Sequence, residues 1–400
     1  MTNHSAMQIE SVYGAHNYAP FPIVLVRGEG VYVWDEAGKR YLDMMSAYSA
    51  VSHGHCHPKL VRVLQEQAAK LAVVSRAFHT DKLGVFLKKA CEVTGFAKAL
   101  PMNTGAEGVE TAIKAARKWA YKVKGVAENQ AEIIVCASNF HGRTTTVISM
   151  STESQYRDGF GPFTPGFKII PYGDSAALEQ AITKNTAAFL VEPVQGEAGI
   201  IVPPVGYLKA CETICRKHRV LLICDEVQTG LGRTGKILAI EHENVRPDAL
   251  ILGKALGGGL LPVSLFLSND EVMSVFTPGD HGSTFGGNAL AAAVGLAALE
   301  ILLEEDLASK AAAMGDYFMQ RLRTMHSRFI KDIRGKGLLI GVELVNYSAQ
   351  KFCLKLIEHG VLSKDTHGTV IRLAPPLIVT KEQIDAAVAA FQAALDEAEA

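Results

Sequence analysis

Between Glu132 and Ser268 the sequence alternates short apolar runs, rich in β-branched residues, with stretches of helical periodicity. The runs read EIIVCAS, FKIIP, AAFLVEP, VLLICDE, ALILGK and PVSLFLS. This alternation predicts an α/β fold with crossover units and a mainly parallel sheet that carries helices on both faces. Because ligands of such sheets bind beyond the carboxyl ends of the strands, the polar residues directly after each run are the first candidates for a site.

The composition describes a chain with a large apolar core and balanced charge. Of 400 residues 48% are apolar, and 41 acidic residues face 40 basic ones without a block of one sign. That pattern disfavours nucleic acid or an anionic membrane as a partner and leaves small molecules. Seven cysteines without a CxxC pair favour a reducing compartment and no structural zinc. Since the amino terminus does not read as a secretory signal, we expect a cytoplasmic protein.

The pattern divides the chain into three parts. Residues 1–43 read as an arm that contributes to a small domain and contains a hairpin turning at Ala37 and Gly38. Residues 44–304 carry the alternating pattern of a large domain, which ends in a helical stretch from Ala289 to Glu304. From residue 305 to 400, the order helix, strand, strand, helix predicts a smaller α+β domain.

Two reactive side chains follow neighbouring predicted strands. Asp225 ends the run VLLICD, and Lys254 follows ALILG. Parallel strands would place this acid and amine side by side at the ligand edge of the sheet. Partial desolvation there would lower the pKa of the lysine and leave its amine free to attack a carbonyl carbon. Taken singly, Asp225 reads as a helix cap and Lys254 as a solvated side chain, so only their joint placement indicates a site.

The pair meets the requirements of pyridoxal phosphate. That coenzyme needs an amine to hold it covalently and a carboxylate to keep its ring nitrogen protonated. A helix predicted from Thr104 to Lys124 adds an anion site, because Thr104 and Gly105 form a typical helix start with free N–H groups. Gly108, in the first turn, lowers the helix propensity by up to ~1 kcal/mol.

Several motifs resemble the class III aminotransferases, which have the type I fold of pyridoxal phosphate-dependent transferases. The fragments VEPVQGEAG, CDEVQTGLGRTG, LGKALGGG and HGSTFGGN occur in order, and SVYGAHNY, MNTGAE, NFHGRT and RLAPPL extend the resemblance over nearly the whole chain. The resemblance implies a large domain with a mainly parallel central sheet flanked by helices, plus a smaller α+β domain. Alanine is common in that family where this chain has Gly108.

The resemblance implies roles around the coenzyme ring. Lys254 would hold the coenzyme covalently and act as general acid and base, and Asp225 would pair with the pyridine nitrogen. Gln228 would hydrogen-bond the phenolic oxygen, and Phe140 would stack on the ring. Without the resemblance, Phe140 reads equally well as a core aromatic.

The resemblance also implies roles around the phosphate and an assembly. Gly105 and Ala106 would donate backbone N–H groups to the phosphate. Ser283 and Thr284 would bind the phosphate of the neighbouring subunit. The expected protein is therefore a homodimer with shared active sites.

Five further residues would bind substrates. Arg143 would grip the donor carboxylate through a bidentate fork. Arg372 would pair with Glu197 in the first half-reaction and bind the 2-oxo acid in the second, although a static ion pair is the simpler interpretation. Tyr13 and Tyr48 would contact the α-amino end of the donor, although both also read as ordinary tyrosines.

The implied reaction moves the δ-amino group of L-ornithine to 2-oxoglutarate and gives glutamate 5-semialdehyde, which cyclises to pyrroline-5-carboxylate, and glutamate. Acetylornithine, lysine and 4-aminobutyrate are alternative donors. A non-catalytic coenzyme-binding module of the same fold is an alternative from another class.

A metal site and a nicotinamide site are disfavoured. The stretch HGHCHP from His53 to Pro58 has four possible ligands. However, adjacent residues in such a segment point apart, and the family uses this pattern as a structural turn. The glycines at 257–259 do not form GxGxxG after an opening strand.

Overall fold

A computed structural model describes residues 6–399, and its strands form three sheets. Two parts of the predicted domains lie outside this range. They are residues 1–5, at the beginning of the predicted arm, and residue 400, at the end of the predicted small domain. The strands are β1 (Leu25–Glu29), β2 (Tyr32–Asp35), β3 (Arg40–Asp43), β4 (Lys98–Met102), β5 (Glu132–Cys136), β6 (Phe167–Ile170), β7 (Thr186–Val191), β8 (Leu221–Asp225), β9 (Ala249–Leu252), β10 (Ser264–Ser268), β11 (Ile330–Lys336), β12 (Leu339–Leu344), β13 (Val361–Leu362), β14 (Lys364–Thr366) and β15 (Val370–Leu373).

Helices and short helical turns connect these strands. None within residues 6–399 has the length and apolar character to cross a membrane. The helices are α1 (Ala6–Tyr13), α2 (Ser46–Ser49), α3 (Pro58–Lys70), α4 (Leu83–Thr94), α5 (Gly105–Trp119), α6 (Thr145–Ile148), α7 (Ser154–Arg157), α8 (Ser175–Ala181), α9 (Tyr207–Lys217), α10 (Asp270–Met273), α11 (Ala289–Glu304), α12 (Leu307–Arg323), α13 (Ala349–Glu358) and α14 (Lys381–Glu399), with a π-helical turn at Ala120–Lys124 and 3₁₀ turns at Ala239–Glu243 and Lys254–Gly257.

The central sheet has seven strands in the order β4-β10-β9-β8-β7-β5-β6. Strands β5 to β9 are parallel, and β10 runs antiparallel to both β9 and β4. All six strands predicted from the apolar runs lie in this sheet, and the mainly parallel arrangement is confirmed. The edge strand β4 was not predicted.

The central strands are mostly apolar because both of their faces are covered. Every residue of β7, β8, β9 and β10 is buried. Helix α5 covers one face, where Val109 and Ile113 join Ile251 in one apolar cluster, and Leu250 and Leu252 face the cluster that includes α11. Burial of each such leucine or isoleucine contributes about 1.5–3 kcal/mol. Consequently the sheet is rigid where its polar strand ends meet.

The predicted helices in this region are confirmed. Helix α11 has the predicted bounds, and α5 with its π-helical turn covers the predicted stretch to Lys124. Gly108, which sequence analysis marks as unfavourable, has a packing reason: a Cβ there would lie 2.8 Å from Ile251 Cγ2 of β9. The loss of helix propensity is the cost of close packing between α5 and the sheet.

The carboxyl-terminal part contains a four-stranded sheet in the order β11-β12-β15-β14. Strands β12 and β15 correspond to the two predicted strands, whereas β11 and the helix α13 were missed. The arm forms the predicted hairpin of β2 and β3, and β3 then pairs in parallel with β13. This pairing joins the beginning of the chain to its carboxyl-terminal part.

One buried carboxyl group makes the stability of the fold dependent on pH. Glu226 accepts hydrogen bonds from Thr229 Oγ1 and the backbone N–H of Ile240, and burial raises its pKa from 4.5 to about 7. The folded chain therefore retains a proton that the unfolded chain releases, so stability falls as pH rises from 4.5 to about 7. We expect Glu226→Gln to reduce this decrease in the free energy of unfolding by up to about 3 kcal/mol.

The measurement is the free energy of unfolding in urea, taken for both proteins at several pH values. All other titrating groups are shared, so the difference between the two curves isolates Glu226. Parallel curves from pH 5 to 8 would contradict the assignment of a protonated, buried Glu226.

Candidate active site

Asp225 and Lys254 meet at the carboxyl edge of the central sheet, as predicted. Asp225 is the last residue of β8 and pairs with Ile251 of β9, three positions before Lys254. Both side chains line a cavity of about 180 Å³. The other lining residues come from the loops after β4, β5, β7 and β8 and are Gly105, Ala106, Phe140, His141, Gly142, Glu192, Glu197, Val227, Gln228 and Thr229.

Lys254 presents a reactive amine. It follows β9 after one intervening residue, Gly253, with a left-handed backbone (φ 46°), and its Nζ forms no hydrogen bond to any described residue. Burial lowers the pKa of Lys254, although Glu197 partly opposes this shift. A desolvated amine without a hydrogen-bond partner is a good nucleophile for a carbonyl carbon.

Asp225 is held in a fixed orientation by two donors. His141 Nδ1 lies 2.7 Å from Asp225 Oδ2, and the backbone N–H of Val227 donates to Oδ1 at 3.0 Å. Burial works to lower the pKa of His141, but Asp225 reverses this and the net shift is upward. His141 Nε2 is buried and has no hydrogen-bond partner among the described residues. The histidine therefore supports a buried negative charge at Asp225.

A second carboxyl group, that of Glu192, also lines the cavity. Glu192 follows β7, and its Oε1 accepts the backbone N–H of Phe140 at 2.9 Å. Burial raises the pKa of Glu192 to about 7, and His141 only partly offsets that effect. Near neutral pH Glu192 therefore readily holds a proton.

The start of α5 forms an anion site beside this pair. Thr104 Oγ1 accepts the N–H of Glu107, and the Glu107 side chain accepts the N–H of Thr104, which is a capping box. This leaves the N–H groups of Gly105 and Ala106, both of which line the cavity, at the positive end of a 15-residue helix. An anion such as phosphate is stabilised in this position.

Arg372 and Glu197 form the ion pair that the resemblance implies. Arg372 Nη1 lies 2.5 Å from Glu197 Oε1, and Gln228 Nε2 donates to the same oxygen at 3.3 Å. Burial alone would raise the pKa of Glu197, but Arg372 and Lys254 lower it below its usual value. The Arg372 guanidinium also lies 4.6 Å from the ring centroid of Tyr48. Three of the predicted substrate residues therefore form one connected group.

Gln228 is placed by a close contact with the backbone of the loop after β7. A Cβ at Gly196 would lie only 1.4 Å from Gln228 Oε1. Any other residue at 196 would displace the amide, because a real Cβ cannot approach this closely. Gly196 thus sets the direction from which Gln228 enters the cavity.

Arg143 and Phe140 lie together on the loop after β5. The guanidinium of Arg143 is 5.9 Å from the Phe140 ring centroid and 4.4 Å from that of Tyr156. Arg143 is exposed and Phe140 lines the cavity. An exposed cation beside an aromatic ring that lines the cavity suits an anionic substrate above a planar ring.

Six predicted residues do not line this cavity. Arg372, Tyr48 and Arg143 are connected to its lining residues through the contacts given above. The other three lie elsewhere. Tyr13 ends α1 and its side chain is 86% exposed. Ser283 lines a different cavity of about 800 Å³, where its Oγ accepts hydrogen bonds from Asn103 and Gly286, and Thr284 is exposed. Ser283 and Thr284 do not contribute to the cavity of their own chain, and their action on another subunit stays a prediction.

Sequence reasoning gave no role to His141 or Glu192. Both lie in polar segments that directly follow predicted strands, and this position was the available signal. The histidines of the rejected metal stretch have separate partners: His53 contacts Ala298 O, His55 contacts Asp43, and His57 contacts Glu305.

The cavity fits pyridoxal phosphate. A half-buried amine at Lys254 without a hydrogen bond to a described residue, a carboxylate oriented by His141, and a helix start with free N–H groups are the three features that the coenzyme requires. The orphaned Nε2 of His141 remains available to a further polar group.

Comparisons with known proteins identify the relatives of the chain. A family model described as class III aminotransferase matches residues 13–395. An ornithine aminotransferase of Exiguobacterium sp. is 57% identical and covers 98% of both chains, and one of Brevibacillus brevis is 57% identical over 94% of both.

Solved structures give the same picture. The ornithine aminotransferase of Toxoplasma gondii superposes with a TM-score of 0.97 at 45% identity, covering 98% of this chain and 94% of that one. An acetylornithine aminotransferase of Elizabethkingia anophelis gives a TM-score of 0.90 at 50% identity and covers 98% of each chain.

Proposed function

Because this chain belongs to the class III aminotransferases, we propose that it transfers the δ-amino group of L-ornithine to 2-oxoglutarate. Its coenzyme is pyridoxal 5′-phosphate, and the products are glutamate 5-semialdehyde, which cyclises to pyrroline-5-carboxylate, and glutamate. The observation that carries this function is the meeting of Lys254, the His141-supported Asp225 and the start of α5 in one cavity. The relatives at 56–57% identity that are named ornithine aminotransferase support ornithine as the donor.

Several residues of the cavity have a task in this reaction. When bound, pyridoxal phosphate supplies an electron-accepting ring that stabilises negative charge on the carbon beside the transferred nitrogen. Asp225 holds a proton at the ring nitrogen, and Lys254 Nζ moves a proton to and from the reacting carbon. Gly105 and Ala106 bind the phosphate through their N–H groups.

Other residues bind and orient. Gln228 hydrogen-bonds the phenolic oxygen, and Phe140 stacks on the ring. Arg143 binds the donor carboxylate. Arg372 is neutralised by Glu197 while ornithine is bound and receives the second carboxylate of 2-oxoglutarate afterwards, which is how one pocket serves two differently charged substrates.

Tyr48 contacts the α-amino end of ornithine from its position over Arg372. Tyr13 would do so only if α1, whose residues are all exposed in the single chain, packs against a site in the assembled enzyme. The proposed role of Tyr13 therefore requires the assembled enzyme.

We propose that the enzyme is a homodimer with shared active sites. Ser283 and Thr284 of one subunit bind the phosphate held by the other. The 800 Å³ cavity beside Ser283 and the exposed ring of Phe285, 56% accessible, support an interface on this face.

We also propose the division into an arm (1–43), a large domain (44–304) and a small domain (305–400). Pairing of β3 with β13 supports assignment of the arm to the small domain. A cytoplasmic location is supported by the seven free cysteines, because disulfides are rare in reducing compartments.

The visible spectrum of the purified protein tests the coenzyme and the donor together. We expect a yellow band, which depends on the link between the coenzyme and Lys254, and we expect L-ornithine to bleach it. Bleaching should be slower with N-acetyl-L-ornithine, L-lysine and 4-aminobutyrate at equal concentration. The first of these is the strongest rival, since a 50% identical relative is named acetylornithine aminotransferase.

The outcomes separate the alternatives. Faster bleaching by N-acetylornithine would retain the chemistry and replace the donor. Coenzyme-supplied protein without a yellow band would contradict the enzyme itself and favour a non-catalytic module of this fold.

A further inference from the structure

Tyr48 lies in the short segment labelled α2 above, which is a turn with an unusual backbone. Ser46, Ala47, Tyr48 and Ser49 all have positive φ, at 43°, 47°, 59° and 75°. Each L-residue in this left-handed region costs roughly 1–2 kcal/mol, and a bulky residue such as Tyr48 rarely adopts it. Because the turn contains no glycine, surrounding contacts must hold it in place.

The entry to the turn is fixed by Asp43 at the end of β3. Asp43 Oδ1 accepts the N–H groups of Met45 at 2.8 Å and Ser46 at 2.9 Å, and Oδ2 lies 2.7 Å from His55 Nε2. These bonds explain the start of the turn. They do not reach Ser49 or the strand that carries Arg372.

Backbone hydrogen bonds from Ala374 N–H to Met44 O at 2.7 Å and from Leu377 N–H to Ser52 O at 2.8 Å tie the flanks of the turn to the segment after β15. Arg233 adds a side-chain connection between the turn and that segment. Its Nη2 donates to Ser46 Oγ at 3.2 Å and Ser52 Oγ at 3.0 Å, and its Nη1 donates to Leu338 O at 2.9 Å and Pro375 O at 2.6 Å. The planar fork of an arginine can serve these four acceptors at once, whereas an ammonium group cannot.

The two serine hydroxyls extend this network. Ser46 Oγ donates to Ala374 O at 2.6 Å, two residues after Arg372. Ser52 Oγ donates to Ser49 O at 3.0 Å, at the end of the turn. Arg233 therefore links both ends of the left-handed turn to the segment that leaves β15.

The burial of Arg233 has an unfavourable free energy, which is unusual for a contact with a purely structural role. Arg233 is fully buried, hydrogen-bonds to no carboxylate, and its Nε lacks a partner among the described residues. Desolvation lowers the pKa of Arg233 to about 9. A buried cation bound only to neutral groups is unfavourable compared with an apolar side chain. Such a cost is more usual where it maintains a functional geometry.

We propose that Arg233 is a positioning residue that holds Tyr48 against Arg372 and so determines how the α-amino end of the donor is recognised. The proposal rests on the proposed function for the identity of the donor. Arg233 does not line the cavity, and its effect passes through the turn and the β15 segment.

Two ornithine analogues separate recognition from chemistry. 5-Aminopentanoate lacks only the α-amino group, and L-norvaline lacks only the reactive δ-amino group. In the holoenzyme, Arg233→Met should lower the ratio of kcat/KM for ornithine over 5-aminopentanoate by about tenfold or more, since small displacements of positioning groups have effects of this size. Calorimetry should show a weaker Kd for L-norvaline by a similar factor. The visible band and kcat for 5-aminopentanoate should stay unchanged.

Matched variants control for a general structural effect. Lys124 is a partly buried cation that donates to Thr186 O and His218 O away from the cavity, so Lys124→Met should leave the ratio unchanged. If Arg233→Met does not fold, Ser46→Ala and Ser52→Ala test the same links, with Ser268→Ala as control. Ser268 is buried and its Oγ donates to Asp248 O.

A double-mutant cycle tests the route of action. In a Tyr48→Ala background, Arg233→Met should no longer change the ratio, because the residue acts through Tyr48. An undiminished effect in that background would overturn the proposal, as would an unchanged ratio in the single variants. Wild-type protein that neither turns over ornithine nor binds L-norvaline would contradict the proposed function first, before Arg233 is judged.

Discussion

Replacing Lys254 with alanine should abolish sustained transamination and lower kcat by about 10³-fold or more. Lys254 Nζ is the amine of the cavity, belongs to a half-buried side chain and has no hydrogen bond to a described residue, so it is free for both covalent attachment and proton transfer. Alanine leaves the reacting carbon without a base. The measurement is steady-state formation of pyrroline-5-carboxylate from ornithine and 2-oxoglutarate.

A matched control is Lys236→Ala, which removes an exposed lysine from the segment after β8 and should retain the parent rate. The yellow band should also shift in Lys254→Ala, because the coenzyme is then held only by non-covalent contacts. Turnover by Lys254→Ala at the parent rate would falsify the mechanism.

The second large effect is expected at Asp225. Asp225→Asn preserves shape but carries no charge, so it cannot hold a proton at the ring nitrogen. We expect kcat to fall by roughly 10²–10³-fold, within the range of general acid and base contributions. Coenzyme affinity, measured by dialysis and reconstitution, should weaken as well, because His141 then faces a neutral amide instead of a carboxylate.

Asp248→Asn is the control for this variant. Asp248 precedes β9, at the opposite end from Lys254, and its carboxylate likewise accepts a backbone N–H, from Leu222 at 2.8 Å. This variant should keep both kcat and coenzyme affinity. Equal losses in the two variants would indicate damage to the sheet instead of a role at the coenzyme.

The central sheet and the Asp225–Lys254 pair could be predicted because local sequence determines them. Fully buried parallel strands are continuous apolar runs, and these are visible without tertiary information. Once the strands are parallel, their carboxyl ends meet at one edge, so the placement of Asp225 and Lys254 follows. The start of α5 is equally local, because Thr104 and Glu107 are three residues apart.

Other elements lack such a local signal. Strand β11, IKDIRGK, is mostly exposed or half-buried, so it shows neither an apolar run nor strict alternation. The support of Asp225 by His141 joins residues 84 positions apart, and Arg233 reaches Pro375 over 142 positions. Contacts this distant depend on the assembled fold. The left-handed turn at Tyr48 contains no glycine or asparagine, the residues that would have indicated a left-handed backbone in the sequence.

The separation between the central sheet and the sheet that carries Arg372 has an evolutionary consequence. In the proposed function, bond making depends on residues at the ends of β8 and β9, whereas the choice of substrate depends on Tyr48 and on Arg372 in β15. Mutations can therefore accumulate in the recognition elements while the reaction itself is preserved. Under the proposed roles, we expect a change of amine donor to require substitutions in the recognition elements alone, with the coenzyme-binding sheet left intact.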